Sequence, residues 1–299
     1  MVTYVGYIMN PETDPLYAGI AGVEIDVDRF DLGYGITISQ TYGHFMAPFL
    51  LAFAPAKEGK SHPTPWSAVQ GGLGIDFHVQ LHIPETFEIE GFFDRLNTVW
   101  WIAALIRLRG AYLAHVPVLA AKPFAEIPQN WATASILPIE ALPRRAFAAP
   151  RLTKWTADDL RWLRETWLEG GRLMGKSPVL NDAFQAFDSS GNLPNRSVAM
   201  LTIWGALEHL FSPAKQELRF RVSANIASFR EEPGTARLAL HHKLLKLYDA
   251  RSQVAHGTAR KGADAWDETH EIASRVLLKI LKNQAVPSKE SLDVALFAP

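Results

Sequence analysis

The side chains in this sequence best suited to chemistry are an arginine and a histidine five positions apart, in the run Leu244-Leu-Lys-Leu-Tyr-Asp-Ala-Arg251-Ser-Gln-Val-Ala-His256-Gly257. The spacing alone carries no information, because the Arg and His content of the chain supplies about 0.6 such pairs by chance. The context does. Leu240, Leu244, Leu247 and Val254 recur at helical spacing and predict the buried stripe of a helix, and Arg251 falls on that stripe. A guanidinium there needs a partner, since an unpaired buried charge costs roughly several kcal/mol. Glu208, in Trp204-Gly-Ala-Leu-Glu208-His-Leu-Phe, is equally out of place on an apolar helix and is the expected partner. A purely structural salt bridge satisfies both residues as well. His256 precedes Gly257, which is placed to end the helix in a left-handed conformation. At a helix C-terminus the dipole favours the imidazolium and holds the imidazole near the working range of a general acid or base.

These residues need helices to position them, and the second half of the chain supplies the period. Thr156-Ala-Asp-Asp159 resembles a capping box ahead of Leu160, Leu163 and Trp167. Further helices are predicted over about Arg196 to Phe211, stopping at Ser212-Pro213, over Glu217 to Phe229, over Thr235 to His256, and over Asp264 to Lys282. The first half reads differently. Apolar and polar side chains alternate in Val23-Glu-Ile25-Asp-Val27-Asp, Ile36-Thr-Ile38-Ser and Phe77-His-Val79-Gln-Leu81-His-Ile83, which predicts strands. Lys57 to Pro65 and Gly71-Gly72-Leu73-Gly74 are expected as loops or turns, Phe92 to Leu108 as one helix, and Tyr112 to Ile127 and Ala132 to Ile139 as extended chain. The expectation is an α+β chain, with a β-rich domain over 1–150 and a helical domain over 151–299.

Composition narrows the function classes. With 48% hydrophobic and 20% charged residues an ordinary core can form. The longest apolar run, Val99 to Ile106, is far shorter than the ~20 residues of a membrane span, so no membrane partner is expected. There is no cysteine, which excludes disulfides and thiol catalysis, and the first residues lack the features of a signal peptide. A cytoplasmic location is the expectation. Net charge is -1. Residues 1–150 hold 9 Lys+Arg against 14 Asp+Glu and residues 151–299 hold 21 against 17, so the helical half is mildly basic, as a polyanion-binding surface or a solvated one would be.

Three segments in order, Ala206-Leu-Glu208-His-Leu-Phe, Glu217-Leu-Arg-Phe-Arg221-Val-Ser and Leu247-Tyr-Asp-Ala-Arg251-Ser252-Gln-Val-Ala-His256-Gly257, resemble the HEPN superfamily, most closely its Apea-like branch, over about residues 197–282. The resemblance implies a bundle of four to five helices that pairs into a homodimer, with the two Arg-x4-His motifs facing each other. It also implies RNA cleavage without a metal or other cofactor, often in antiviral defence or as a toxin. An antitoxin or a phage-derived trigger protein would then be a further partner. The chain departs from the pattern at Ser252, where the superfamily often has Asn, Asp or His. Attack by a ribose 2′-OH on the adjacent phosphate needs a base, an acid and a cation against the charged phosphorane, and two histidines and two arginines of a symmetric dimer supply all three. DNA lacks that hydroxyl.

The catalytic set expected on this reading is Arg251, His256, Ser252 and Glu208, with Arg219, Arg221 and Lys243 as candidate phosphate contacts that would otherwise face water. His78 and His82 lie four apart on one strand face, with His44 and His62 in the same half, yet no carboxylate at metal spacing accompanies them, and solvent-facing histidines are expected. Gly71-Gly-Leu-Gly74 lacks the further glycine and helix of a dinucleotide fingerprint, and there is no P-loop lysine. Two rival functions use the same residues: a silent HEPN module in which Arg251 and Glu208 only hold a dimer while residues 1–150 sense a ligand or protein, and the toxin half of a toxin–antitoxin pair.

Overall fold

The structure, a computed structural model, describes residues 9–60, 62–130, 133–140, 152–193, 195–211, 218–255 and 263–297. It is α+β. The strands are β1 (Leu16–Ala21), β2 (Val23–Ile25), β3 (Arg29–Gly33), β4 (Ile36–Ala52), β5 (Trp66–Ile83), β6 (His115–Ala120), β7 (Ile136–Pro138) and β8 (Thr153–Trp155). Six of them form an antiparallel sheet in the order β3-β4-β5-β1-β6-β7, while β2 and β8 pair in parallel. The alternation read from the sequence survives in the sheet: Phe77, Val79, Leu81 and Ile83 are buried and the residues between them half-buried.

Two strand expectations are corrected. Gly71 to Gly74 do not turn but run within β5, where Gly72 pairs with Pro48 and Gly74 with Met46 of β4. The glycines permit a close approach: a Cβ on Gly74 would stand 3.1 Å from the His44 ring. The extended stretch expected from Tyr112 to Ile127 is also shorter. β6 ends at Ala120, and Phe124–Gln129, between Pro123 and an internal Pro128, form a 3-10 turn. The Phe124 amide donates to the Gln80 side chain at 2.8 Å and pins that turn to the sheet.

The helices are α1 (Arg95–Leu108), α2 (Ala157–Lys176), α3 (Pro178–Ser190), α4 (Arg196–Phe211), α5 (Leu218–Arg230), α6 (Thr235–Ala255), α7 (Ala263–Asn283) and α8 (Lys289–Phe297). Asp94 caps α1 through the Asn97 amide at 2.7 Å. At α2, the Thr156 amide donates to the Asp159 carboxylate at 3.1 Å, as the capping pattern predicts. α3 and α8 were not expected from the sequence. α3 starts on Ser177, whose hydroxyl accepts from the Leu180 amide, with Pro178 in the first turn, where its missing N–H costs nothing. Ser212, Pro213, Glu217, His256 and Gly257 lie outside the described residues.

One apolar core runs through both halves of the chain, from Leu16, Ile38 and Leu81 of the sheet through Val99 and Ile106 of α1 to Trp167, Trp204, Ile226, Leu244 and Ile280 of the helices. Hydrogen bonds cross the same junction. The Trp167 indole donates to the Leu32 carbonyl at 3.0 Å and the Trp101 indole to the Trp167 carbonyl at 2.7 Å. The segment that leads into α1 lies close against α2 because Gly171 has no side chain: a Cβ there would stand 2.2 Å from the Phe92 ring. No helix among the described residues is long and apolar enough to cross a membrane.

Candidate functional site around Glu208 and Arg251

α4 and α6 pack together and bring the two polar residues singled out above into contact. Leu244 and Leu247 are buried, and Leu240 and Val254 pack against the core, so the stripe expected on α6 is the face that meets the bundle. Arg251 lies on that face at its edge, with 27% of its side chain exposed against 19% for Glu208. One terminal nitrogen of Arg251, Nη2, stands 3.2 Å from Glu208 Oε1 and 3.3 Å from Oε2. Its Nε is buried without a hydrogen-bond partner. The pair is therefore half-buried and incompletely bonded.

Tyr248 completes the cluster. One turn before Arg251 on α6, its hydroxyl donates to Glu208 Oε1 at 2.9 Å. Burial and that bond to a carboxylate push the phenol up to about 12, so it stays a proton donor throughout the physiological range. The Arg251 guanidinium carbon lies 5.4 Å from the Tyr248 ring centroid, and the Trp204 ring packs edge-on to Tyr248 at 5.1 Å. Glu208 thus accepts from a phenol and a guanidinium at once. That arrangement holds Arg251 at the rim with one edge bonded and leaves its outer part facing solvent, where a cation can meet an anionic group. Sequence reasoning missed Tyr248, although helical spacing three residues from Arg251 would have marked it as a neighbour.

The remaining expected residues are distributed around α5 and α6. Ser252 is half-buried beside Arg251 in sequence. Arg219 of α5 forms a two-pronged pair with Asp249 of α6, at 2.6 and 2.7 Å, and that carboxylate pushes the guanidinium pKa up. Lys243 is 2.9 Å from Glu268 of α7. Arg219 and Lys243, both expected to meet phosphate, are thus engaged by carboxylates, and Arg221 is exposed on α5.

The histidines of the sheet lie elsewhere. His78 and His82 are half-buried rather than solvent-facing, and the His82 ring stacks on Tyr17 at 4.5 Å. Burial and nearby Arg29 hold His82 below the usual imidazole range. His44 Nδ1 meets Asp76 at 2.7 Å. Among the described residues no group of three or more His, Cys, Asp or Glu is arranged to hold a metal ion.

No family model, curated protein or solved structure matches the chain.

Proposed function

We propose that the chain is a metal-independent endoribonuclease of HEPN type, acting as a homodimer in phage defence or as a toxin, in which Arg251 and His256 of both protomers cleave RNA by attack of its own 2′-OH. The observation that carries this reading is the partly exposed Arg251 side chain, held by Glu208 through one terminal nitrogen alone. A structural salt bridge would be expected to use its donors more fully. On this reading Arg251 offsets charge on the phosphorane, the imidazoles of two His256 residues serve as base and acid, and Ser252 is the motif residue next to Arg251. Glu208 and Tyr248 position the guanidinium. The exposed apolar side chains Phe220 and Leu238 on α5 and α6 are in keeping with a second copy packing there.

A silent module of the same type is favoured by one observation. Asp249 and Glu268 neutralise Arg219 and Lys243, which lowers the positive potential around α6. Incubation of the full chain with RNA in EDTA separates the two readings. Cleavage leaving a 2′,3′-cyclic phosphate, absent in His256→Ala and Arg251→Ala, is the expected result. Dependence on Mg²⁺, or equal attack on DNA, overturns the mechanism. Mixing wild-type and His256→Ala chains under exchange conditions should lower activity with the square of the wild-type fraction; a linear fall overturns the shared site.

A further inference from the structure

A second polar site sits at the opposite end of α4, where the α1–β6 connection, the end of α3 and the first turns of α4 and α7 line an open cavity of about 670 Å³. That size suits a small organic ligand. Arg196 opens α4 and Glu208 lies twelve residues on, so the cavity is about 18 Å from the Arg251 cluster along one helix.

One wall is a column of planar groups. His270 lies between Phe187, at 4.5 Å and 28°, and Trp266, at 4.9 Å and 36°. The Arg196 guanidinium continues the column, 5.5 Å from the Trp266 centroid. Tyr112 meets His270 edge-on at 5.1 Å and keeps 55% of its surface exposed, so one broad aromatic face is open to the cavity. A surface of this kind stacks further planar rings.

The charges in the wall come as neutral pairs. Arg107 is bonded on two edges to Asp188, at 2.6 and 2.8 Å, and is committed. Arg196 and Asp267 are 3.4 Å apart and both largely exposed, a loose pair that can open to give one donor and one acceptor to a ligand. Glu271 adds a further carboxylate beside its partner Arg275. Carboxylates facing a pocket accept hydrogen bonds from hydroxyls, as acidic residues do from a ribose.

We infer that this cavity binds a neutral purine nucleoside, its base stacked on Tyr112 with an edge on Arg196 and Asp267, and its ribose hydroxyls toward the carboxylates. A purine offers a larger stacking face than a pyrimidine, and with its cations paired to carboxylates the wall has no excess positive charge to hold a 5′-phosphate. The inference does not rest on ribonuclease activity. Calorimetric titration of the full chain with guanosine and with adenosine tests it, beside uridine, guanosine 5′-monophosphate, a short RNA and tetramethylammonium. Saturable binding of at least one purine nucleoside is expected, weakened at least about tenfold in Tyr112→Ala and in Arg196→Ala and unchanged in Glu208→Gln. Both substituted residues are exposed, and an unchanged melting temperature verifies the fold of each variant. Absence of saturable binding, equal affinity for uridine, tighter binding of the monophosphate or the RNA, capture of tetramethylammonium instead, or undiminished binding by the two variants overturns it.

Discussion

Arginine is used in opposite ways where the sheet meets the helices and where α4 meets α6. At the first junction Arg107 has Nε and Nη2 on the two oxygens of Asp188 and Nη1 on the Ala114 carbonyl at 3.0 Å. Arg95, buried to 6%, donates to four backbone carbonyls, those of Pro11, Glu12, Asp14 and Ile83. At the second, Arg251 shares one carboxylate with a tyrosine and reaches it through a single terminal nitrogen, its buried Nε being without a partner, as is that of Arg95. A guanidinium whose donors are nearly all used locks backbone in place, whereas one held by a single edge keeps capacity for something that arrives from outside.

The largest effect that would sharpen this contrast is on stability. Asp188→Ala leaves Arg107 at the cavity wall without the carboxylate that binds two of its nitrogens and should cost roughly 2–4 kcal/mol, read as a lowered denaturant midpoint with unchanged slope. A loss below about 1 kcal/mol would remove the distinction between the two arginines. Glu208→Ala should cost less, roughly 1–2 kcal/mol, because that pair is joined by one arginine nitrogen at 3.2 Å rather than by two short bonds. It should nevertheless lower RNA cleavage more than Asp188→Ala does when both are assayed well below their melting temperatures. The reverse ranking of activities would break the comparison.

The smallest effect is spectroscopic. Tyr248 should ionise late, near pH 12, in an absorbance titration, and that late step should vanish in Tyr248→Phe. Its stability contribution follows from the sign of the shift. The folded state holds the phenolic proton more tightly than the unfolded chain does, so the contribution is complete below pH 10 and is lost between 10 and about 12. A variant with the same alkaline unfolding profile as wild type would show that Tyr248 is not bonded to Glu208 in solution.

Particular residues show what the sequence makes legible. The helix from Arg196 to Phe211 and the Thr156–Asp159 cap were readable because both depend on neighbours within four positions. The contact of Glu208 with Arg251 was readable for another reason: each is a charge on an otherwise apolar stripe, and such a charge requires a partner. Nothing local announces Asp188 as the partner of Arg107, 81 residues away, and the cavity by Tyr112 gathers residues from four separate segments. Gly71 to Gly74 misled because their composition is that of a turn, while their conformation is set by cross-strand pairing with β4.

The parallel pairing of β2 with β8 has a consequence for how this chain can be divided. Val23, Glu24 and Ile25 bond alongside Thr153, Lys154 and Trp155, and Trp155 is 2% exposed within the shared core. A helical fragment expressed alone would carry an orphan strand and a bare tryptophan, and the sheet fragment would lack the indole of Trp167 against Leu32. Separated between residues 140 and 152, the pieces would behave as the complementary halves of a split protein, each insoluble by itself and regaining structure on reunion, rather than as modules for transplantation.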